Sequence, residues 1–204
     1  PDPAYYTRED ADTRALLGRY TEYVEKILAL TGTPQEKLKD EMAMVIDLET
    51  RLARASRPIT TLRDPRANYA MVPTAGFAKQ FRNLQLDQFL QAQGVSADQV
   101  SMAHAAYFTE VDDLVRTLKP GQWKAYLRYH IGNAMAPYLN QAFREAHFYF
   151  HGRVLRGQSA PPQRDVQVLE AINRAAGPML AREYVARYLP AANRARAEAI
   201  AGDV

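Results

Sequence analysis

Trp123 to Gln158 reads WKAYLRYHIGNAMAPYLNQAFREAHFYFHGRVLRGQ. This stretch holds eight aromatic residues and three of the four histidines of the protein. Its apolar residues recur at helical spacing on both sides of Pro137. Because proline has no backbone N–H and its ring clashes with the preceding turn, the stretch should kink or split into two helices there.

His147 and His151 are the first candidates for chemistry in this stretch. Residues four apart share a helix face, so two imidazoles at this spacing can reach one metal ion. In hydrolytic zinc helices a glutamate follows the first histidine and acts as the general base. Here Phe148 stands in that place, and His104 and His130 lie in unrelated contexts. We interpret the pair as histidines at the rim of a packing helix and assign no catalytic, cofactor-binding or metal-ligating residue in this chain.

The segment between Asp10 and Leu52 predicts a helical hairpin. Thr7 with Asp10 begins the first helix and Gly32 ends it. Thr33 to Glu36 then has the order of a capping box, with threonine as N-cap, proline at N1 and glutamate at N3. Helices joined by so short a turn should lie antiparallel. The predicted buried faces consist of Leu16, Leu17, Tyr20, Val24, Ile27 and Leu28, and of Leu38, Met42, Val45, Leu48 and Leu52.

The rest of the chain predicts helices separated by breaks. Residues 56–73 are irregular, and Asp64–Pro65 should cap a single helical turn. The remaining predictions are helices at 74–81, 87–93, 105–117, 164–176 and 178–189, a last segment from Pro190 to Ala201, a brief extended piece at 99–103, a turn at 119–121 and a loop at 157–162. The predicted fold is all-α, an irregular multi-helix domain built from helical hairpins, with little or no sheet. We expect one domain over 1–204.

Bulk composition excludes several classes of protein. The 204 residues are 47% hydrophobic and 24% charged, which is ordinary for a globular domain. No apolar run approaches the roughly 20 residues that span a bilayer, so we expect no membrane contact. The net charge of +3 is spread along the chain without a basic cluster, so we expect no nucleic-acid partner. With no cysteine, the chain has neither disulfides nor thiolate ligands.

Tyrosines and carboxylates give further candidates. Five tyrosines at helix-face positions should pack in the core with hydroxyls reaching water or a partner; the alternative is that some line a peptide-binding cavity. Five carboxylates invite comparison with acid–base pairs, but we interpret them as solvated faces because adjacent residues do not face each other on a helix. Gly152 to Gly157 follows a helix and lacks the lysine of a phosphate loop. These residues are Tyr20, Tyr23, Tyr126, Tyr129 and Tyr138, and Glu41, Asp47, Glu49, Asp112 and Asp113.

Six segments, in order, resemble the helical non-catalytic (N-terminal) domain of the neprilysin and endothelin-converting-enzyme family of zinc metallopeptidases. Asn68 and Tyr69 are placed slightly differently from the family turn. The segments are 2–6 (DPAYY), 47–53 (DLETRLA), 63–69 (RDPRANY), 123–158 as a whole, 150–158 (FHGRVLRGQ) and 184–190 (YVARYLP).

The sequence departs from the family in lacking its catalytic motifs. His-Glu-x-x-His and the downstream Glu-x-x-x-Asp are absent, and Asn133-Ala134-Met135 only approaches the substrate-binding Asn-Ala-(Tyr/Phe) motif, so we give it no role. The resemblance places these motifs in a catalytic domain C-terminal to this region. We therefore interpret the chain, from Pro1 to Val204, as a piece of a larger enzyme that is inactive alone and holds no zinc, which would sit in the parent's catalytic domain.

The resemblance also implies partners and a location. The helical domain of this family closes over the catalytic domain and encloses a cavity that admits oligopeptides, so the expected partners are the catalytic domain of the same polypeptide and the parent's oligopeptide substrates. Surface normally covered by that domain should give some self-association. The family favours a periplasmic or extracytoplasmic location, although a cysteine-free chain also suits the cytoplasm, and the Ala- and Arg-rich composition suits a bacterial source. The alternative function is a stand-alone helical protein-interaction module.

Overall fold

The computed structural model describes residues 2–202. Pro1 and Asp203–Val204, the two ends named in the interpretation of the chain as a piece of a larger enzyme, lie outside the described residues. Helices account for most of the chain, with short 3₁₀ turns at Gln35–Lys37, Thr61–Arg63, Thr74–Gly76 and Ala136–Tyr138 and a π-helix at Phe148–Val154. The α-helices are α1 (Ala4–Thr7), α2 (Ala11–Leu30), α3 (Leu38–Ala55), α4 (Phe77–Gln80), α5 (Leu86–Ala92), α6 (Ala105–Thr117), α7 (Pro120–Met135), α8 (Gln141–His147), α9 (Arg164–Tyr188) and α10 (Ala191–Gly202). The predicted all-α class is confirmed.

A two-stranded antiparallel sheet is the only β-structure in residues 2–202. Strand β1 (Met71–Pro73) pairs with β2 (Gln99–Ser101), and Val72 faces Val100 in the register. The sequence predicted the second strand as a brief extended piece. It missed the first, because three residues that end in a proline carry too little alternation to signal a strand.

The predicted hairpin of α2 and α3 is confirmed and forms the centre of the main core. Gly32 connects the helices with a φ of +91°, a conformation that glycine adopts without steric cost. The two helices pack against each other and against α7, and α8 packs on α2. Their buried side chains join those of the 123–158 stretch in one cluster: Tyr23, Val24, Ile27, Leu28, Leu38, Val45, Tyr129, Ala136, Phe143 and Phe150.

The predicted capping box before α3 is wrong. The chain enters this helix through a 3₁₀ turn at Gln35–Lys37, and no side chain caps it. Thr33, the expected N-cap, instead donates its hydroxyl to the carboxylate of Glu41 at 2.8 Å. Thr33 therefore takes part in a tertiary contact in place of the local cap, because Arg128 of α7 binds both Thr33 and Glu41.

Pro137 splits the 123–158 stretch, as predicted. Helix α7 ends at Met135, a 3₁₀ turn contains the proline, and Asn140 caps α8 by accepting from the backbone N–H of Phe143. The second half then widens into the π-helix, which the sequence did not predict. The break predicted at Gly177–Pro178 is present one residue earlier, at Ala176, whose φ is −137°.

The chain divides into two compact units, Pro1–Gly157 and Gln158–Val204. The first contains the main core and a smaller cluster around Phe77, Phe81 and Met102. The second consists of α9 and α10, in which no described residue is buried. The single domain expected over 1–204 stays a prediction. No helix in residues 2–202 is long and apolar enough to cross a membrane.

Candidate functional site

Glu49 is the most distinctive polar group of the first unit. Its side chain is only 9% exposed, and its two oxygens accept hydrogen bonds from the hydroxyls of Tyr6 at 3.0 Å and Tyr20 at 2.9 Å. The prediction that Glu49 lies on a solvated face is therefore wrong. The helical period of α3 does place Glu49 beside Leu48 and Val45. The tyrosines whose hydrogen bonds offset the cost of burying its charge, however, are 43 and 29 residues away in sequence.

Helix α7 completes this cluster from the other side. Tyr129 donates its hydroxyl to that of Tyr20 at 2.9 Å. The Nε2 atom of His130 lies 3.1 Å from a Glu49 oxygen, and this buried nitrogen makes no hydrogen bond within residues 2–202. We call Tyr6, Tyr20, Glu49, Tyr129 and His130 the Glu49 cluster.

The tyrosines of this region are held in their protonated form. Burial raises the pKa of Tyr20 and Tyr129 far above the ordinary value of 10, and the charge of Glu49 contributes in the same direction. Burial and Glu49 likewise raise the pKa of Tyr126 to about 12. These hydroxyls therefore act as hydrogen-bond donors and not as proton-transfer groups near neutral pH. The predicted core packing holds for Tyr23 and Tyr129, whereas Tyr138 is 46% exposed.

The His147 and His151 rings stack, with centroids 4.3 Å apart and planes 29° from parallel. The Nε2 atom of His151 lies 3.1 Å from the Oδ1 atom of Asn133, which also accepts the Tyr23 hydroxyl at 2.6 Å. Burial lowers the pKa of His151, and Arg156 lowers it further. Asn133, to which the sequence assigned no role, thus joins α7 to α2 and the π-helix; nothing in its local sequence signals this.

Asp112 and Asp113 of α6 also connect this helix to other parts of the unit. Asp112 accepts from the backbone N–H groups of Asn83 and Leu84 at 2.8 and 2.9 Å. Although burial alone would raise the pKa of Asp112, these bonds hold it below its ordinary value. Asp113 and Glu110 both pair with Arg51 of α3. Of the five carboxylates expected on solvated faces, Asp47 is the clearest exposed case.

The described residues of this unit provide packing, hydrogen bonds and ion pairs. Within residues 2–202, no group of three or more His, Cys, Asp or Glu side chains could hold a metal ion. A shallow, mostly apolar groove of about 470 Å³ is lined in part by Ile59, Leu62, His104 and Tyr107. None of the polar side chains discussed above opens into it as a paired acid and base.

The fold and the Glu49 cluster define an all-α scaffold in which buried polar groups connect the helices. The sequence model of peptidase family M13 matches residues 1–204, and the chain belongs to that family, in its N-terminal domain. The resemblance to neprilysin and endothelin-converting enzymes is thereby confirmed.

Relatives and solved structures agree with this assignment. Mouse endothelin-converting enzyme-like 1 is 23% identical over 210 residues, covering 100% of this chain and 27% of the relative, and Drosophila melanogaster neprilysin-3 is 24% identical over 159 residues, covering 72% and 20%.

Two solved structures share the fold. The zinc metalloprotease Zmp1 of Mycobacterium tuberculosis in its open state has a TM-score of 0.83 at 23% identity, covering 97% of this chain and 31% of that one. PepO from Lactobacillus rhamnosis gives 0.80 at 21% identity, covering 98% and 32%. The chain spans less than a third of the length of these proteins.

Proposed function

We propose that this domain forms part of the wall around the active-site cavity of a zinc metalloendopeptidase and restricts its substrates to oligopeptides. The observation that carries the proposal is the match of the whole chain to the N-terminal domain of family M13, together with its coverage of less than a third of each relative. A wall of this kind acts by steric selection and by excluding water.

The Glu49 cluster suits a rigid wall. Its hydrogen bonds join α1, α2 and α3, and Tyr129 extends them to α7. Because a buried carboxylate is stable only while its partners stay in place, the cluster fixes the relative positions of these helices. Helices held in this way keep an opening at constant size.

The second unit supports the expectation of a covalently linked partner. Helices α9 and α10 bury no side chain, and large apolar residues are exposed along them. Exposed apolar residues in such numbers usually mark an interaction surface. We assign it to the catalytic domain of the same polypeptide. The residues are Val166, Val168, Leu169, Ile172, Met179, Leu180, Tyr184, Tyr188, Leu189 and Ile200.

Zinc in that catalytic domain would supply a metal-activated water for attack on the peptide carbonyl. The residues of this chain contribute no ligand in the proposal; they shape the cavity and shield it. By the same resemblance we propose an extracytoplasmic location, which fractionation of the source cell would test.

The first experiment is to read the coding sequence beyond Val204. We expect His-Glu-x-x-His within a few hundred residues. The whole polypeptide, purified with zinc, should then cleave a ten-residue peptide but leave the same sequence uncut inside a folded host protein. Equal cleavage of both substrates would contradict the proposed restriction to oligopeptides. A stop codon soon after Val204 would favour the stand-alone interaction module.

The chain alone should neither retain zinc nor cleave peptides, because the catalytic motifs are absent from its sequence. Dialysis followed by metal analysis and a fluorogenic peptide assay check this. Retention of one zinc per chain that is lost on replacing His147 and His151 with alanine would contradict it.

A further inference from the structure

Helix α7 carries apolar side chains on two faces. One face is buried in the core through Ala125, Tyr129 and Gly132. Leu127, Ile131 and Met135, each four residues after the last, form a second row in which the exposed fractions are 51%, 62% and 45%. Exposed Ala134 lies beside them. We call Leu127, Ile131, Ala134 and Met135 the α7 ridge; it is about 12 Å long at 1.5 Å per residue.

The α7 ridge has few charged residues on its own helix. Helix α7 contains no acidic residue. Arg128 reaches back to Thr33 and Glu41, at 2.8 and 3.2 Å, and His130 belongs to the Glu49 cluster. Of the lysine and arginine side chains of α7, only that of Lys124, at one end of the helix, is exposed. A helix that is apolar all round is usually buried, and charge depletion marks the centre of a lasting interface.

We propose that an apolar helix face from the remainder of the same polypeptide covers the α7 ridge. The matched relatives and structures each have more than two thirds of their length outside the region that this chain covers, so a linked occupant is available in proteins of this family. A segment of the same polypeptide has a high effective concentration at the α7 ridge. It can therefore keep these exposed apolar side chains covered. This inference rests on the proposed function, because it requires the chain to be part of a longer peptidase, and it names a surface through which the domain joins the rest.

Methionine oxidation tests the cover directly. The chain, at a concentration where sedimentation shows a monomer, and the whole polypeptide are treated with hydrogen peroxide and analysed by peptide mass spectrometry. We expect Met135 to oxidise about tenfold more slowly in the whole polypeptide, because sulfoxidation follows exposure. Met71, 43% exposed on β1, serves as the exposed reference and Met102, 8% exposed, reports intact folding. Equal Met135 rates in the two proteins would overturn the proposal.

A matched pair of substitutions identifies the occupant. Ile131→Lys should leave the melting temperature of the chain unchanged but lower that of the whole polypeptide by about 5 °C or more, because a charge would be buried there. Val115→Lys, at an exposed aliphatic position of α6, is the control and should change neither. If the whole polypeptide is a dimer that Ile131→Lys turns into a monomer, the occupant is a second copy and the proposal is wrong.

These readouts separate this proposal from the proposed function. A whole polypeptide that contains His-Glu-x-x-His and discriminates by substrate size, yet oxidises Met135 freely, would remove only the cover. Conversely, a protected Met135 in a polypeptide that cleaves folded proteins would support the proposed cover of the α7 ridge and contradict the proposed restriction to oligopeptides.

Discussion

Glu49 links two segments on which the family resemblance rests. It lies in the DLETRLA segment and accepts from Tyr6 of the DPAYY segment, so two short patterns that are far apart in sequence form a single contact. The third participant, Tyr20, lies outside both segments. The carboxylate and its two hydroxyl donors stabilise the fold only together, because any one of them without its partners would be a buried polar group with no hydrogen bond.

Replacing Glu49 with alanine should lower the free energy of unfolding by about 2–4 kcal/mol, because two hydrogen bonds to a charged group are lost and buried hydroxyls lose their acceptor. Tyr6→Phe removes only one of these bonds and should cost about 1 kcal/mol. Urea denaturation measures both. The control is Asp47→Ala, two residues away on the exposed side of α3; equal costs for Asp47 and Glu49 would show that the cluster does not stabilise the fold.

His151 should make stability depend on pH in a definite direction. Burial lowers its folded-state pKa below the ordinary value of 6.5, so the unfolded chain takes up the proton first as the pH falls. This contribution is complete above about pH 6.5 and is lost as the pH drops below it. His151→Gln should therefore flatten the fall in unfolding free energy between about pH 7.5 and 5.5. A His151→Gln profile identical to that of the unsubstituted chain would contradict the assignment.

At the scale of elements, α2 and α7 approach closely because Gly132 has no side chain. A Cβ atom there would lie 2.8 Å from the Cγ2 atoms of both Ile27 and Thr31. Neither can move away cheaply, since β-branched side chains are stiff at χ1 and the Thr31 hydroxyl is bonded to the carbonyls of Ile27 and Leu28.

Gly132→Ala should destabilise the chain by about 1–3 kcal/mol through overpacking, despite the better helix propensity of alanine. Gly18→Ala in α2 is the matched control, because its Cβ would meet nothing within 4 Å. That substitution should stabilise by about 0.5–1 kcal/mol. Thermal or urea unfolding of the pair decides the matter, and stabilisation by both alanines would disprove the close packing of α2 on α7.

The two halves of the 123–158 stretch behave differently for a reason that lies in its partners. The split at Pro137 follows from proline itself. The π-helix that begins at Phe148 does not, because it accompanies contacts with two other helices. Phe150 stacks on Tyr23 of α2 at a centroid distance of 5.0 Å, and His151 contacts Asn133 of α7. Such widening often accompanies positions where a helix must present particular side chains.

At the scale of the whole molecule, the two units differ in how they are stabilised. Pro1–Gly157 has its own core, whereas the described part of Gln158–Val204 has none. The described side chains of the second unit therefore contribute no buried apolar core of their own. Isolated helices without tertiary packing are marginal in water.

The 204-residue chain should self-associate. Its weight-average mass in sedimentation equilibrium should rise with concentration, because the apolar residues of α9 lack a cover of their own. Leu169→Glu, at a position 56% exposed, should reduce the association. Glu170→Ala, at an exposed polar position next to it, is the control. A strict monomer at millimolar concentration would contradict the prediction.

The sequence by itself determined the all-α class, the α2–α3 hairpin, the break at Pro137 and the family. These follow from local causes: the helical period of apolar residues, the missing N–H of proline, the positive φ of Gly32 and short segments that fall in a characteristic order. It also determined that no family zinc motif lies in these 204 residues.

Only the tertiary structure decided which polar residues are buried and which apolar residues are exposed. Glu49 and Asp47 are both acidic residues of one helix, yet one is sealed by two distant tyrosines and the other faces solvent. Ile131 and Tyr129 both belong to α7, and it is the more apolar of the two that is exposed. The burial of each side chain depends on what arrives from elsewhere in the chain, and the helical period alone does not contain that information.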